Sequence, residues 1–301
     1  MPKKIEQPAS SATALAPTKT KEEVLPPEKA GKTKVAAAAL GSTELAVNSA
    51  LDLEAMATGL ENVTSRDIII PRITLLQGLS PQVDKNDSLY IKGAEIGDFC
   101  DVSTGEIFKE SLVMIPCYFA TVYLEWAPRG GAEKGLQMNH GMDSSILEKC
   151  KPDEKRRMVL PNGNLISETA TYFVLNLSAG GRRSFIPLSS TQLKNSRKWM
   201  TFITNERVMG REGREFMPPI FYRSWTASPI GESNDKGKWS GWKFSPGKTI
   251  LELDPKKGLL QDAKDFYEQA RSGLVKGDLS SYAEDLASGS TAGGPGDQEA
   301  M

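Results

Sequence analysis

Between Asp67 and Leu253 the apolar residues come in short runs or alternate with polar ones, the spacing of strands. Asp67–Gln77 is the first strand signal, and Pro71 places it at an edge or a bend. Turn chemistry fills Gly78–Asp87, short strands are predicted at Ser88–Lys92 and Phe99–Val102, and Ser103–Glu106 reads as a tight turn. Ser111–Trp126 is the most apolar run, buried on both faces at its start and on one face later. Pro116 inside it implies a bulge or an edge. Thr171–Ser178, a turn at Ala179–Arg182 and Arg183–Ser189 read as a hairpin. Further strands are expected at Pro219–Ser228, Lys238–Ser245 and Thr249–Leu253, with Gly231–Gly237 joining the first two.

Helical spacing predicts two main helices. One starts at Ser189 or Ser190 and runs to about Met209, with Leu193, Met200 and Ile203 as its core stripe. The other is the amphipathic Leu259–Val275. Leu51–Leu60 predicts a short helix before the folded region. The polar residues 127–164 form a long insertion with a short helix near Ser144–Cys150. Residues 1–50 and 277–301 lack the apolar content to offset ordering entropy and are expected to be disordered, the second stretch acidic. The expected class is α+β: residues 51–276 form a β-rich core, an OB-like barrel or a strongly twisted antiparallel sheet with two helices.

Charge changes the picture at one place. Residues 182–248 hold thirteen Lys or Arg against five Asp or Glu, in a chain whose net charge is −1. The same window carries ten of the 22 aromatic residues, including four of five tryptophans. Cations interleaved with flat rings suit single-stranded nucleic acid, whose bases stack and whose phosphates pair. Strand alternation places Phe221, Arg223 and Trp225 on one face, with Ile220, Tyr222 and Ser224 inward. Trp239 and Lys243 share a face across Gly241, which leaves room for a base, while Trp242 and Phe244 pack beneath. Arg183 and Phe185 repeat the pattern, Arg182 precedes them, and Lys194, Arg197 and Lys198 share one helix face. The bland alternative is that the rings fill a β-core and the helix face is merely solvated.

Other chemistry is thin. Ser245-Pro-Gly-Lys-Thr249 lacks the first glycine of a phosphate loop, since position 242 is Trp, and it leads into a predicted strand. His140 is the one histidine and has no evident nucleophile partner, so an enzyme is not expected. Three cysteines without close spacing predict reduced thiols in the cytoplasm, not a disulfide framework or a metal site. No cofactor signature and no membrane span are present.

In layout the chain resembles phage and bacterial single-stranded DNA-binding proteins at Phe221–Trp225, Trp239–Phe244 and the acidic stretch Asp278–Glu299. Ile70–Val83 also resembles a stretch in phage-encoded proteins. The resemblance implies an OB-type core and action in replication, recombination or transcription in a host cytoplasm. It also implies partner proteins docking on the acidic tail. The terminal Gln298-Glu-Ala-Met301 departs from the Pro-Phe tip of the bacterial tail. The expected function is sequence-tolerant binding of single-stranded DNA, possible also as a homo-oligomer. The alternative is a phage structural or host-interaction protein whose aromatics are core and whose tails make the contacts. Exposure of the indoles and a free Arg223 decide between them.

Overall fold

The chain is described here by a computed structural model that covers residues 59, 61–62, 70–128, 135–234, 237–275 and 277–279. The expected helix Leu51–Leu60 lies outside these residues except for Gly59, and so do the expected tails except for residues 277–279. The fold is α+β and strand-rich. The elements run β1 (Ile73–Leu75), β2 (Phe99–Asp101), β3 (Ile107–Phe108), β4 (Leu112–Trp126), β5 (Leu136–Asn139), β6 (Lys151–Pro152), β7 (Met158–Val159) and β8 (Leu165–Asn176). They continue through β9 (Arg182–Ser189), α1 (Leu193–Asn205), β10 (Val208–Met209), β11 (Glu215–Phe216), β12 (Arg223–Asn234), β13 (Gly237–Thr249), α2 (Ile250–Leu253) and α3 (Gly258–Arg271).

An eight-stranded antiparallel sheet in the order β13-β12-β4-β8-β7-β6 carries the fold, with β5 on β4 and β9 on β8. It curls into an open half-barrel, the twisted-sheet member of the two expected architectures. Its spine is β4, which pairs with β8 from Met114 to Trp126 and with β12 at Leu112–Met114. The register slips between Pro116 and Tyr118. There the ring of Pro116 removes a donor just past the last β12 partner, so the bulge leaves no ladder bond unmade on that side. The bulge also swaps the faces of the strand: Leu112 and Met114 enter one core, whereas Leu124 and Trp126 enter the other.

Both faces of the sheet are thus covered. One core gathers Ile73, Phe99, Tyr172, Ile186, Trp225, Trp242 and Phe244 around Trp199 of α1. Trp199 stacks on Phe244 at 3.9 Å and on Tyr172 at 4.3 Å. The other core places Ala263, Phe266 and Ala270 of α3 against Ile115, Cys117, Phe173, Leu175 and Phe185. Burial there pushes the Cys117 thiol up to about 12, so it remains a protonated apolar filler.

Several expected elements take a different form. Ser88–Lys92 is turns, because its backbone bonds close locally, as Tyr90 N–H does onto Asp87. Helix α1 stops at Asn205, and the chain then makes the β10–β11 hairpin. Residues 127–164 are not one loop: β5, β6 and β7 extend the sheet from within them. Thr249–Leu253 is not a strand. The Thr249 hydroxyl accepts from the Glu252 N–H and the Glu252 carboxylate accepts from the Thr249 N–H, a capping box that starts α2.

Candidate nucleic-acid interface

The expected sheet platform does not assemble. Pro218-Pro219 leads into a 3₁₀ turn at Ile220–Tyr222, so strand alternation begins only at Arg223. Phe221 consequently joins the α3 side, 6.1 Å from Tyr267, while Trp225 joins the α1 side, 6.1 Å from Trp199. Trp225 is 2% exposed, Trp242 is 5% exposed and Phe185 is sealed. Ser224 is buried and Trp242 and Phe244 pack into the core, as expected of the inward positions.

Three of the seven expected phosphate cations, Arg182, Lys194 and Arg223, face carboxylates instead, and Arg183 packs against α3. Arg223 pairs with Glu206 and also donates to the Gly247 carbonyl, with its guanidinium 5.7 Å from the Tyr222 ring. Arg182 reaches Glu106 at 2.8 Å and the buried Asp101 at 3.2 Å. Hydrogen bonding to Glu106, with Asp101 behind it, raises that guanidinium above its ordinary value. Arg183 lies 5.4 Å over the Phe266 ring and donates to Gln269 on α3. Lys194 pairs with Glu232 at 3.0 Å. The notch over Gly241, expected to admit a base, is filled from across the hairpin. A Cβ on Gly241 would stand 2.6 Å from the Glu232 carboxylate, which accepts the Trp239 indole N–H at 2.9 Å.

Arg197, Lys198 and Lys243 remain exposed and make no ion pair among the described residues. The first two lie on α1, whose thirteen residues contain no acid. Phe202 follows Lys198 by one turn on the same face, is 57% exposed, and lies 6.4 Å from Trp225. Beyond α1 the chain places Arg211 and Arg214 in the exposed turn of the β10–β11 hairpin, where Phe216 is 49% exposed. Met209 and Met217 are uncovered beside them. Arg207 is also exposed, but its guanidinium donates to the carbonyls of Thr204 and Glu206 at the end of α1. Leu193–Met217 therefore holds six cations against three acids, one of which, Glu206, is committed to Arg223. Exposed rings and cations therefore occur together along this stretch, Phe202 on α1 and Phe216, Arg211 and Arg214 on the hairpin, outside the eight-stranded sheet where sequence reasoning sought them. Their signal was the absence of acids from α1 and the basic loop 211–214.

The single histidine also has a partner. His140 Nε2 lies 2.8 Å from Glu125, whose other oxygen accepts from Asn162 at 3.1 Å and Asn164 at 2.6 Å. This cluster pins β5 and the β7–β8 turn to the end of β4. Among the described residues no three His, Cys, Asp or Glu are grouped to hold a metal ion, and no helix is long and apolar enough to cross a membrane.

A family model described as Pam3 phage gp34-like protein matches residues 41–276. The chain belongs to that phage protein family. No curated protein and no solved structure matches it.

Proposed function

We propose that this member of a phage family binds single-stranded DNA without sequence preference, in replication, recombination or transcription, along the outer face of α1 and the β10–β11 hairpin. The observation that carries the reading is the set Arg197, Lys198, Arg211 and Arg214, exposed and free of ion pairs among the described residues, with the uncovered rings of Phe202 and Phe216 on the same segment. Unpaired surface cations release counterions from a polyanion, and a stacked base adds about 1–3 kcal/mol. Phosphate pairing and ring stacking engage the backbone and the base faces rather than the base edges, which is the chemistry of sequence tolerance.

Fluorescence anisotropy of a labelled oligo(dT) titrated with the full chain tests this. The affinity should fall with salt by about 0.7 log unit per log salt for each phosphate engaged. Arg197→Ala with Lys198→Ala should flatten that slope by about 1.4. Phe202→Ala should weaken binding at every salt concentration. A flat titration at low salt discards the proposal. It would favour the second reading, a protein-docking phage component, which the uncovered Leu79 and Ile96 of the β1–β2 connection support.

A further inference from the structure

Glu232 sits where an anion would. Its carboxylate accepts from Asn195 Nδ2 at 3.0 Å and Trp239 Nε1 at 2.9 Å, and Lys194 Nζ stands 3.0 Å away. Asn195 is 7% exposed, and the floor is Gly241, which has no side chain to fill the space. An ammonium, an amide and an indole N–H converging on two oxygens above bare backbone make a built anion site. We infer that Lys194, Asn195 and Trp239 are a phosphate cradle plugged by the chain's own Glu232, and that a phosphodiester of bound DNA displaces the plug.

Two features favour a plug over a fixed staple. First, β12 leaves β4 after Ala227, so Glu232 lies on a ribbon paired on its one ladder to β13 alone. That ribbon is anchored without Glu232. The Gln77 side-chain amide donates to the Ser240 carbonyl and accepts from the Ser240 N–H, and Gln192 accepts from the Trp242 N–H. Second, Lys194 precedes Arg197 and Lys198 by three and four residues on the same helix face. The cradle is therefore about one turn, ~6 Å, along α1 from the cations of the proposed interface. A strand lying on that ridge brings a phosphate to Lys194. The inference rests on the DNA-binding reading and extends its path by one site.

Glu232→Gln in the full chain keeps the side-chain size and removes the competing charge. It should bind labelled oligo(dT) about threefold or more tighter, the worth of one surface charge pair. The salt slope should steepen by about 0.7. In the wild-type protein, oligo(dT) should move the Trp239 indole N–H resonance as its carboxylate partner leaves. If wild type binds DNA but Glu232→Gln matches it in affinity and slope and the Trp239 resonance stays put, Glu232 is a staple and the inference fails alone. If neither protein binds, the interface falls and the cradle with it. Inorganic phosphate added to Glu232→Gln separates the sources. A Trp239 shift with phosphate alone assigns a free-phosphate site, a shift with oligo(dT) alone assigns a strand site, and no shift with either overturns the cradle. Should the variant fail to fold, the wild-type Trp239 titration decides.

Discussion

Glu125 shows how a single side chain is set by residues the sequence holds apart. Burial pushes its carboxyl up, but the amides of Asn164 and Asn162 and the His140 ring together outweigh that, and the group lies below its ordinary value of 4.5. A depressed carboxyl stabilises the fold above its unfolded-state value, and that contribution is lost as pH falls through the lower, folded-state value. Wild type should therefore exceed Glu125→Gln in stability at neutral pH. The difference should vanish as pH falls below the ordinary carboxylate range, read as the urea midpoint of each protein against pH. An undiminished difference in acid would mean that packing, not ionisation, is what the glutamine removes. Sequence reading left His140 without a partner because Glu125 meets it only once β5 folds back on β4, and Asn162 and Asn164 reach Glu125 only once β8 pairs with β4.

At the scale of elements, the strands were legible wherever alternation was long. The β4 run and its Pro116 bulge, the β8–β9 hairpin and the buried faces of Trp242 and Phe244 all follow from period and punctuation. What failed were short aromatic or aliphatic runs beside a stronger local signal. Ile220-Phe-Tyr222 has strand composition, yet the prolines before it set a 3₁₀ turn, and this sent Phe221 and Trp225 to opposite sides of the sheet. Thr249-Ile-Leu-Glu252 has strand-forming residues at its start, but Thr-x-x-Glu is itself a helix-start signature. Thr249→Ala should cost about 1 kcal/mol, measured as a fall in the denaturant midpoint with an unchanged slope. The β10–β11 hairpin makes the opposite prediction. Its turn residues are exposed, so Arg211→Glu with Arg214→Glu should shift stability by no more than about 0.5 kcal/mol. The same pair should lower oligo(dT) affinity sharply at low salt and much less at high salt, which anisotropy at two salt concentrations reads directly.

For the whole molecule, the local excess of positive charge was real in the sequence but was not the charge of one surface. Glu206 and Glu232 from within the window, and Asp101 and Glu106 from far upstream, cancel Arg223, Lys194 and Arg182 once the sheet closes. Neither those pairings nor the stack centred on Trp199 could be read from a linear charge count, since both depend on which strands become neighbours. The rings went inside for the same reason. An open half-barrel with helices on its two faces must fill two cores, and aromatic residues supply the largest apolar area per residue. Trp126, Trp199, Trp225 and Trp242 are all within 5% of full burial, leaving Trp239 as the one partly exposed indole. Tryptophan emission should accordingly be blue-shifted, and iodide should reach only the Trp239 fraction. Oligo(dT) should leave most of the emission unchanged even at saturation, because the exposed rings on the proposed path, Phe202 and Phe216, are phenylalanines. Strong quenching of the total signal by DNA would place bases against the buried indoles and would require the α1 core to open. The Trp239→Phe variant, which removes the accessible indole, distinguishes that opening from a local effect at the hairpin.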